Sequence, residues 1–170
     1  MIQLINNPKT EKYKQFKSFV LSKSFPWFYY GSIEQRGPSS PFLSHTFLLR
    51  PGANVGGKKY SVTNSVYIDQ MDEVFQEIID FNNIEVNCIY RMNANVTEPL
   101  KNIERVPTHT DHVFPHHNML IYLTDADGAT VCGEEMHDPQ EDDIIIFDGK
   151  EHFHYYPTEK RRVVLVATYV

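Results

Sequence analysis

The sequence predicts one α+β domain, mainly β, in which two N-terminal helices precede an antiparallel sandwich or barrel. The first observation is length, because 170 residues suffice for one substantial core and are few for two. The second observation is a change in hydrophobic period. Apolar residues recur every three or four positions before Ile84, and about every second position after it. Helices followed by a run of strands are typical of the α+β class.

The helical part contains two amphipathic segments. Residues 8–24 place Tyr13, Phe16 and Val20 on one face and lysines on the other, and residues 70–83 carry an apolar face with acidic residues near its start. Between the two helices we expect strands at 25–31 and 45–50, and loops at 32–41 and 51–59, where Ser, Gly and Pro are frequent.

From Ile84 onward the segments are short, rich in β-branched and aromatic residues, and separated by turn residues, as strands are. We expect strands within 84–96, 118–125, 128–136, 142–149, 151–156 and 161–170.

Composition limits the classes of partner and compartment. The net charge is −6 and the pI is near 5.7, so the bulk charge gives no general attraction to nucleic acid or anionic lipid. The only cysteines, Cys88 and Cys132, are too few for a disulfide framework and lack zinc-knuckle spacing. The chain also lacks a signal-peptide pattern and a membrane-spanning apolar run. We therefore expect a cytoplasmic protein that is intracellular and soluble.

Candidate metal ligands lie in the strand-rich half. His109 and Asp111 are separated by one residue, so on an extended segment both side chains point to the same face. A third ligand could come from His152 or His154, which share a face of a later segment. Two histidines and one carboxylate suit non-haem Fe(II), but the same ligand types also suit zinc. Ligand type alone does not decide between iron and zinc.

A pair of arginines favours iron. If segments 151–156 and 161–170 form a hairpin, either Arg161 or Arg162 points into the cavity that holds the histidines. A guanidinium can clamp a carboxylate through two hydrogen bonds. An iron site with such a clamp suggests an oxidation that consumes a keto acid.

The order H-x-D, IYL, D-G-x-T, IIIFDG, then His and Arg resembles the 2-oxoglutarate and Fe(II)-dependent dioxygenases, especially the branch with prolyl hydroxylases and small oxygenases encoded by phages. The match covers about 84–170, and FPWFYYG, SHTFLL and YRMNAN resemble the N-terminal part of the phage-type members. The resemblance implies a single domain over 1–170 with a core double-stranded β-helix, a jelly roll of cupin-like shape, at about 84–170.

The resemblance also implies residue roles. His109 and Asp111 match the first two iron ligands. The distal histidine is His152 or His154; they lie ten and eight residues before Arg162, and the family's usual separation favours His152. The residues matched to 2-oxoglutarate binding are Arg162, Tyr122 and Asn95, with Asn93 as an alternative to Asn95 and Arg161 as the alternative to Arg162.

The activity implied is oxidative decarboxylation of 2-oxoglutarate to succinate and CO2, coupled to hydroxylation of a substrate. The cofactors are Fe(II), 2-oxoglutarate and O2, with ascorbate as a stimulant. A protein or peptide, a nucleobase or a small metabolite are all candidate substrates. The alternatives are a metal-dependent hydrolase on a cupin-like barrel and a non-catalytic binding module. The remaining histidines are expected to be solvated or structural: His45, His112, His116, His117 and His137.

Overall fold

The computed structural model describes residues 1–31, 40–53 and 56–170. In chain order the elements are β1 (Gln3–Ile5), α1 (Glu11–Val20), β2 (Phe28–Tyr30), β3 (Phe42–Leu49), β4 (Val62–Thr63), α2 (Ile68–Asn82), β5 (Ile89–Thr97), β6 (His117–Tyr122), β7 (Thr130–Cys132), β8 (Glu135–His137), β9 (Ile144–Asp148), β10 (His152–His154) and β11 (Arg162–Tyr169).

Two antiparallel sheets build the domain. The large sheet has the order β1-β9-β6-β11-β5-β3-β2, with β4 paired to β3, and the small sheet has the order β10-β7-β8. The predicted α+β, mainly β class is therefore confirmed. Strands β1 to β4 precede residue 84, so the large sheet extends beyond the segment that resembles the dioxygenase core.

Both predicted helices form. Thr10 caps α1 by accepting a hydrogen bond from the backbone N–H of Tyr13, and Asn83 ends α2 in the left-handed conformation, with φ of 51°. Their apolar faces pack against one face of the large sheet. The buried helix residues are Tyr13, Phe16 and Val20 from α1, and Met71, Val74, Phe75, Ile78 and Ile79 from α2. Among the described residues, no helix is long and apolar enough to cross a membrane.

Strand alternation divides the large sheet between core and cavity. In β11, Val163 and Leu165 face the helices, whereas Val164 and Val166 belong to the apolar cluster on the opposite face. Successive side chains of a strand point to opposite faces, which explains this division. The second face, together with the small sheet, lines the cavity described below.

The predicted hairpin of segments 151–156 and 161–170 is wrong. β10 pairs with β7 in the small sheet, whereas β11 pairs with β5 and β6 in the large sheet. The intervening turn therefore crosses between sheets. Segment 128–136 forms two strands, because Gly133 with φ of 63° turns the chain between β7 and β8.

Two predicted loops are partly described. Residues 32–39 of the first loop and 54–55 of the second lie outside the described residues. Strands β1 and β4 were not predicted, since each is too short to show a period.

Asp142 joins α1 to the turn before β9. Its carboxylate accepts a hydrogen bond of 2.6 Å from the Tyr13 hydroxyl and pairs with the ammonium groups of Lys17 and Lys9. Burial raises the pKa of this carboxyl, but the hydrogen bonds from Lys17, Tyr13 and Lys9 lower it further, so the net pKa lies below its usual value. Asp142 also has a φ of 72°, which Asn tolerates as well as Asp does.

We expect Asp142→Asn to lower the free energy of unfolding by about 1–3 kcal/mol at pH 7, because charge-assisted hydrogen bonds are lost. A depressed folded-state pKa contributes stability above the unfolded pKa of about 3.9, and that stability is lost as pH falls through the folded-state value. Urea unfolding at pH 7 and pH 3 should show the difference shrinking in acid. Glu11→Gln, which removes the exposed Glu11–Lys14 pair, is the control and should change little. A difference that is independent of pH would contradict this account.

Candidate metal and cosubstrate site

His109, Asp111 and His152 form the one group of three potential metal ligands found among the described residues. One ligand atom from each lies within 4.8 Å of the other two. The backbone explains how they meet, because His109 and His152 form an antiparallel bridge. In this bridge the N–H of His109 donates to the carbonyl of His152 at 3.0 Å, and the reverse bond is 2.9 Å.

Local hydrogen bonds fix the tautomer of both histidines. Nδ1 of His109 lies 2.9 Å from the carbonyl oxygen of Pro107, and Nδ1 of His152 lies 2.9 Å from that of Lys150. A carbonyl oxygen only accepts, so each Nδ1 carries a hydrogen, and in the neutral ring Nε2 then has the lone pair. Burial lowers the pKa of His152, although Asp111 opposes the shift. Backbone carbonyls therefore orient both rings so that Nε2 is the atom available as a ligand.

Two arginines hold Asp111, which is 6% exposed. Nη1 of Arg91 donates to Oδ1, and Nη1 of Arg50 donates to the backbone carbonyl oxygen at 2.6 Å. Oδ2 lies 3.6 Å from Nε2 of His152. Burial raises the pKa of Asp111, but Arg91 and the two histidines lower it more, and the net pKa is far below the usual value. The residue is thus a carboxylate with one oxygen paired to Arg91 and the other facing His152.

These donors fit a divalent transition metal. Two neutral imidazoles and one carboxylate are the ligand set of non-haem Fe(II) sites, and they also serve zinc. His154 lies outside this group, although it shares a strand face with His152. Its Nε2 is 3.1 Å from Oγ1 of Thr97, and burial lowers its pKa well below the usual value, with Arg162 adding to the shift.

The three residues open into a cavity of about 770 Å³ between the two sheets. Arg162 lies in this cavity and is only 3% exposed. Its Nη2 donates to Oγ1 of Thr130 at 2.8 Å, its Cζ lies 5.2 Å from the ring centre of Tyr122, and its Nε has no hydrogen-bond partner. No carboxylate in the described part of the chain pairs with it. Arg161 instead points outward, with its side chain 61% exposed and paired to Glu98.

A buried guanidinium without an acid partner is unfavourable, since burial of a charge is compensated only by pairing. A carboxylate ligand would supply that pair and could also accept from the unpartnered Nε of Arg162. The cavity therefore fits a ligand that carries a carboxylate at the Arg162 end and approaches the three metal-ligand candidates.

The other two residues matched to 2-oxoglutarate binding differ in placement. Tyr122 is fully buried and does not line the cavity; its hydroxyl lies 2.8 Å from Oγ1 of Thr130, which does line it. Thr130 therefore stands between Tyr122 and the cavity. Asn95 lines the cavity and its Oδ1 accepts from Ser44 at 2.7 Å, and Asn93 lines it also.

The remaining histidines lie outside the metal-ligand group. His45 is a core residue with both ring nitrogens paired, to the Pro26 carbonyl and the Ser65 hydroxyl. The expectation of a solvated loop residue is wrong for His116, which is 4% exposed because its ring packs against Gly149, where no side chain intervenes. His117 is exposed, as expected.

Sequence reasoning missed three residues that line the cavity: Arg91, Thr97 and Thr130. A signal for the first two was present. Strand β5 directs Arg91, Asn93, Asn95 and Thr97 to the cavity, and the residues between them to the helices. The period of two that marks Asn95 as inward-facing also marks Arg91 and Thr97.

No protein-family model matches this chain, and no curated protein sequence matches it. Solved structures do match. An oxidoreductase of the 2OG-Fe(II) oxygenase family from Burkholderia pseudomallei has a TM-score of 0.67 at 11% identity, over 99% of this chain and 84% of that chain. The viral collagen prolyl hydroxylase from Paramecium Bursaria Chlorella virus-1, in a 2OG complex, has a TM-score of 0.58 at 10% identity, over 99% and 94%.

A third similar structure is the Trichoplax adhaerens prolyl hydroxylase in complex with a hypoxia inducible factor peptide fragment, with a TM-score of 0.55 at 11% identity, over 99% of this chain and 82% of that chain. The fold is therefore the double-stranded β-helix of the 2-oxoglutarate and Fe(II)-dependent oxygenases. This confirms the fold that the motifs of the second half predict.

The ion pair between Arg91 and Asp111 leads to a prediction about the stability of the metal-free protein. Arg91→Leu leaves the buried carboxylate of Asp111 without its partner, which we expect to lower the free energy of unfolding by about 3–5 kcal/mol. The double variant Arg91→Leu with Asp111→Leu removes both charges and should regain most of this loss.

Denaturant unfolding with a chelator present measures these effects. Arg161→Leu is the matched control, because it breaks an exposed pair and should change stability by less than about 1 kcal/mol. A double variant as unstable as Arg91→Leu would contradict the prediction.

Proposed function

We propose that this protein is a 2-oxoglutarate- and Fe(II)-dependent dioxygenase that couples decarboxylation of 2-oxoglutarate to hydroxylation of a substrate. Fe(II) is held by His109, Asp111 and His152, and the distal carboxylate of 2-oxoglutarate is bound by Arg162. The observation that carries this proposal is the presence, in one cavity, of the three metal-ligand candidates and a buried arginine without an acid partner.

The protein's own groups bind and orient the reactants. The carbonyls of Pro107 and Lys150 accept from Nδ1 of the two histidines and leave Nε2 of each as the ligand atom, and Arg91 leaves Asp111 one oxygen for the metal. Bound Fe(II) supplies the redox chemistry that activates O2 with 2-oxoglutarate.

Arg162 and the apolar wall define the other part of the site. Arg162 would hold the distal carboxylate of 2-oxoglutarate, and the 2-oxo acid end would remain for the metal. Leu120, Val164 and Val166 line the cavity beside it and limit the entry of water. Exclusion of water strengthens the pairing of carboxylate and guanidinium, because the local dielectric constant falls.

For the substrate we propose a protein side chain. The support is that two proteins of the same fold are prolyl hydroxylases. One is described as a viral collagen prolyl hydroxylase, and the other is in complex with a peptide fragment. The zinc hydrolase alternative uses the same three ligands with an activated water, but gives the buried guanidinium of Arg162 no carboxylate. A 2-oxoglutarate-dependent dioxygenase accounts both for the three metal-ligand candidates and for the buried guanidinium of Arg162.

The first test is turnover. With Fe(II), ascorbate and O2, the purified protein should convert 2-oxoglutarate to succinate, slowly without substrate, and Asp111→Ala should abolish this conversion. Succinate is measured directly. Tight stoichiometric zinc without any succinate would favour the hydrolase, and failure to bind either metal or 2-oxoglutarate would leave the binding module.

The distal ligand is tested by metal affinity. His152→Ala should weaken Fe(II) binding by more than about 100-fold, because loss of an orienting neighbour alone reaches about 10–100-fold. His154→Ala should leave Fe(II) affinity within a few-fold of the wild-type value. Anaerobic titration gives both dissociation constants, and the opposite pattern would assign His154 as the ligand.

Variants of the two neighbouring arginines test whether Arg162 binds the distal carboxylate. Arg162→Leu should weaken 2-oxoglutarate binding to the metal-loaded protein by about 30-fold or more, since it removes one partner of a buried charge pair. Arg161→Leu is the control, as that side chain faces solvent, and should bind normally. Calorimetry measures both affinities. Equal losses in the two variants would argue against Arg162 as the clamp.

A further inference from the structure

Thr97 and His154 form a polar pair beside Arg162. Thr97 is the register partner of Arg162 in the pairing of β5 with β11, and His154 is the register partner of Thr130 in the pairing of β10 with β7. All four side chains line the cavity. The pair therefore spans the two sheets at the same end of the cavity as the guanidinium.

Counting hydrogens shows that this pair has a donor to spare. A neutral imidazole carries one N–H and a threonine carries one O–H, so two hydrogens are present. The contact of 3.1 Å between Nε2 of His154 and Oγ1 of Thr97 uses one of them, whichever group donates. Within the described ranges neither residue has a second side-chain hydrogen bond. Either Nδ1–H of His154 or O–H of Thr97 is thus left to donate.

The two register partners of this pair, Arg162 and Thr130, do not accept the remaining hydrogen. Arg162 has no acceptor atom, and Oγ1 of Thr130 already receives the hydrogen bond from Arg162 and contacts the hydroxyl of Tyr122. This end of the cavity therefore offers several donors around one cation. This arrangement of hydrogen-bond donors and one positive charge is complementary to a carboxylate.

We propose that His154, paired with Thr97, is a cosubstrate-binding residue that shares the distal carboxylate of 2-oxoglutarate with Arg162 and thereby selects dicarboxylic 2-oxo acids. This inference rests on the proposed function. It assigns a role to a histidine two residues from His152 that is not itself one of the three metal-ligand candidates. The distal carboxylate would accept hydrogen bonds from the guanidinium and one more from the threonine–histidine pair.

The experiment compares two ligands on the anaerobic, Mn(II)-loaded protein. 2-Oxoglutarate carries the distal carboxylate, and pyruvate has the same 2-oxo acid group without it. His154→Leu should weaken 2-oxoglutarate binding by about 10- to 100-fold, the range for loss of one hydrogen bond to a charged group. Pyruvate and Mn(II) should bind as they do to the wild-type protein.

Companion variants separate recognition from packing. Thr97→Val keeps the shape of the side chain and removes the hydroxyl, and should also selectively weaken 2-oxoglutarate. His154→Asn keeps an N–H donor and should restore part of the affinity. His117→Leu, at an exposed histidine, is the control and should bind both acids normally.

The outcomes distinguish this inference from the proposed function. If the wild-type protein binds 2-oxoglutarate and His154→Leu binds it equally well, the role of His154 is overturned and the dioxygenase proposal stands. An equal loss for pyruvate and 2-oxoglutarate would also overturn it, because the effect would not depend on the distal carboxylate. If the wild-type protein fails to bind 2-oxoglutarate at all, both proposals fall.

Discussion

Two backbone hydrogen bonds between His109 and His152 join segments that lie 43 residues apart, from 109 to 152. The bridge places both imidazoles on one face, and Asp111 follows two residues after the first. It also aligns β10 so that His154 meets Thr97 across the cavity. Side chains can adapt their rotamers, but this spacing is set by the main chain. The grouping of the three metal-ligand candidates and the contact between His154 and Thr97 thus depend on one short antiparallel bridge.

The same alternation that builds the core also builds the cavity. In β5 the residues Met92, Ala94 and Val96 pack under the helices, while the residues between them line the cavity. A shift of register by one residue would exchange these faces and bury Arg91 in the helix-packed core. The large apolar cluster therefore fixes the register, and the register fixes the polar groups of the site. Stability and site geometry are coupled through this constraint.

Local pattern predicted much of the site, because the informative features are short-range. The shared face of His109 and Asp111 and the amphipathic helices follow from period alone, whereas the place of Asn95 was implied by the family resemblance. The pairing of β10 did not, since a turn between two strands does not determine whether they share a sheet. The buried state of His116 depends on Gly149, which lies 33 residues later (149 − 116) and leaves room for the ring. The anchoring of α1 by Asp142 is another long-range contact that no local period contains.

Three arginines line the cavity, Arg50, Arg91 and Arg162, and the last two differ in how their charge is paired. Arg91 is paired with Asp111, so its charge is largely compensated by a group of the protein itself. Arg162 is the more buried side chain and is surrounded by hydroxyl groups and an aromatic ring, with no carboxylate in the described part of the chain. An anion that enters gains more free energy at the uncompensated cation, because the partner there is not already neutralised. The difference in pairing therefore makes Arg162 the more favourable of these two positions for an anion that enters the cavity.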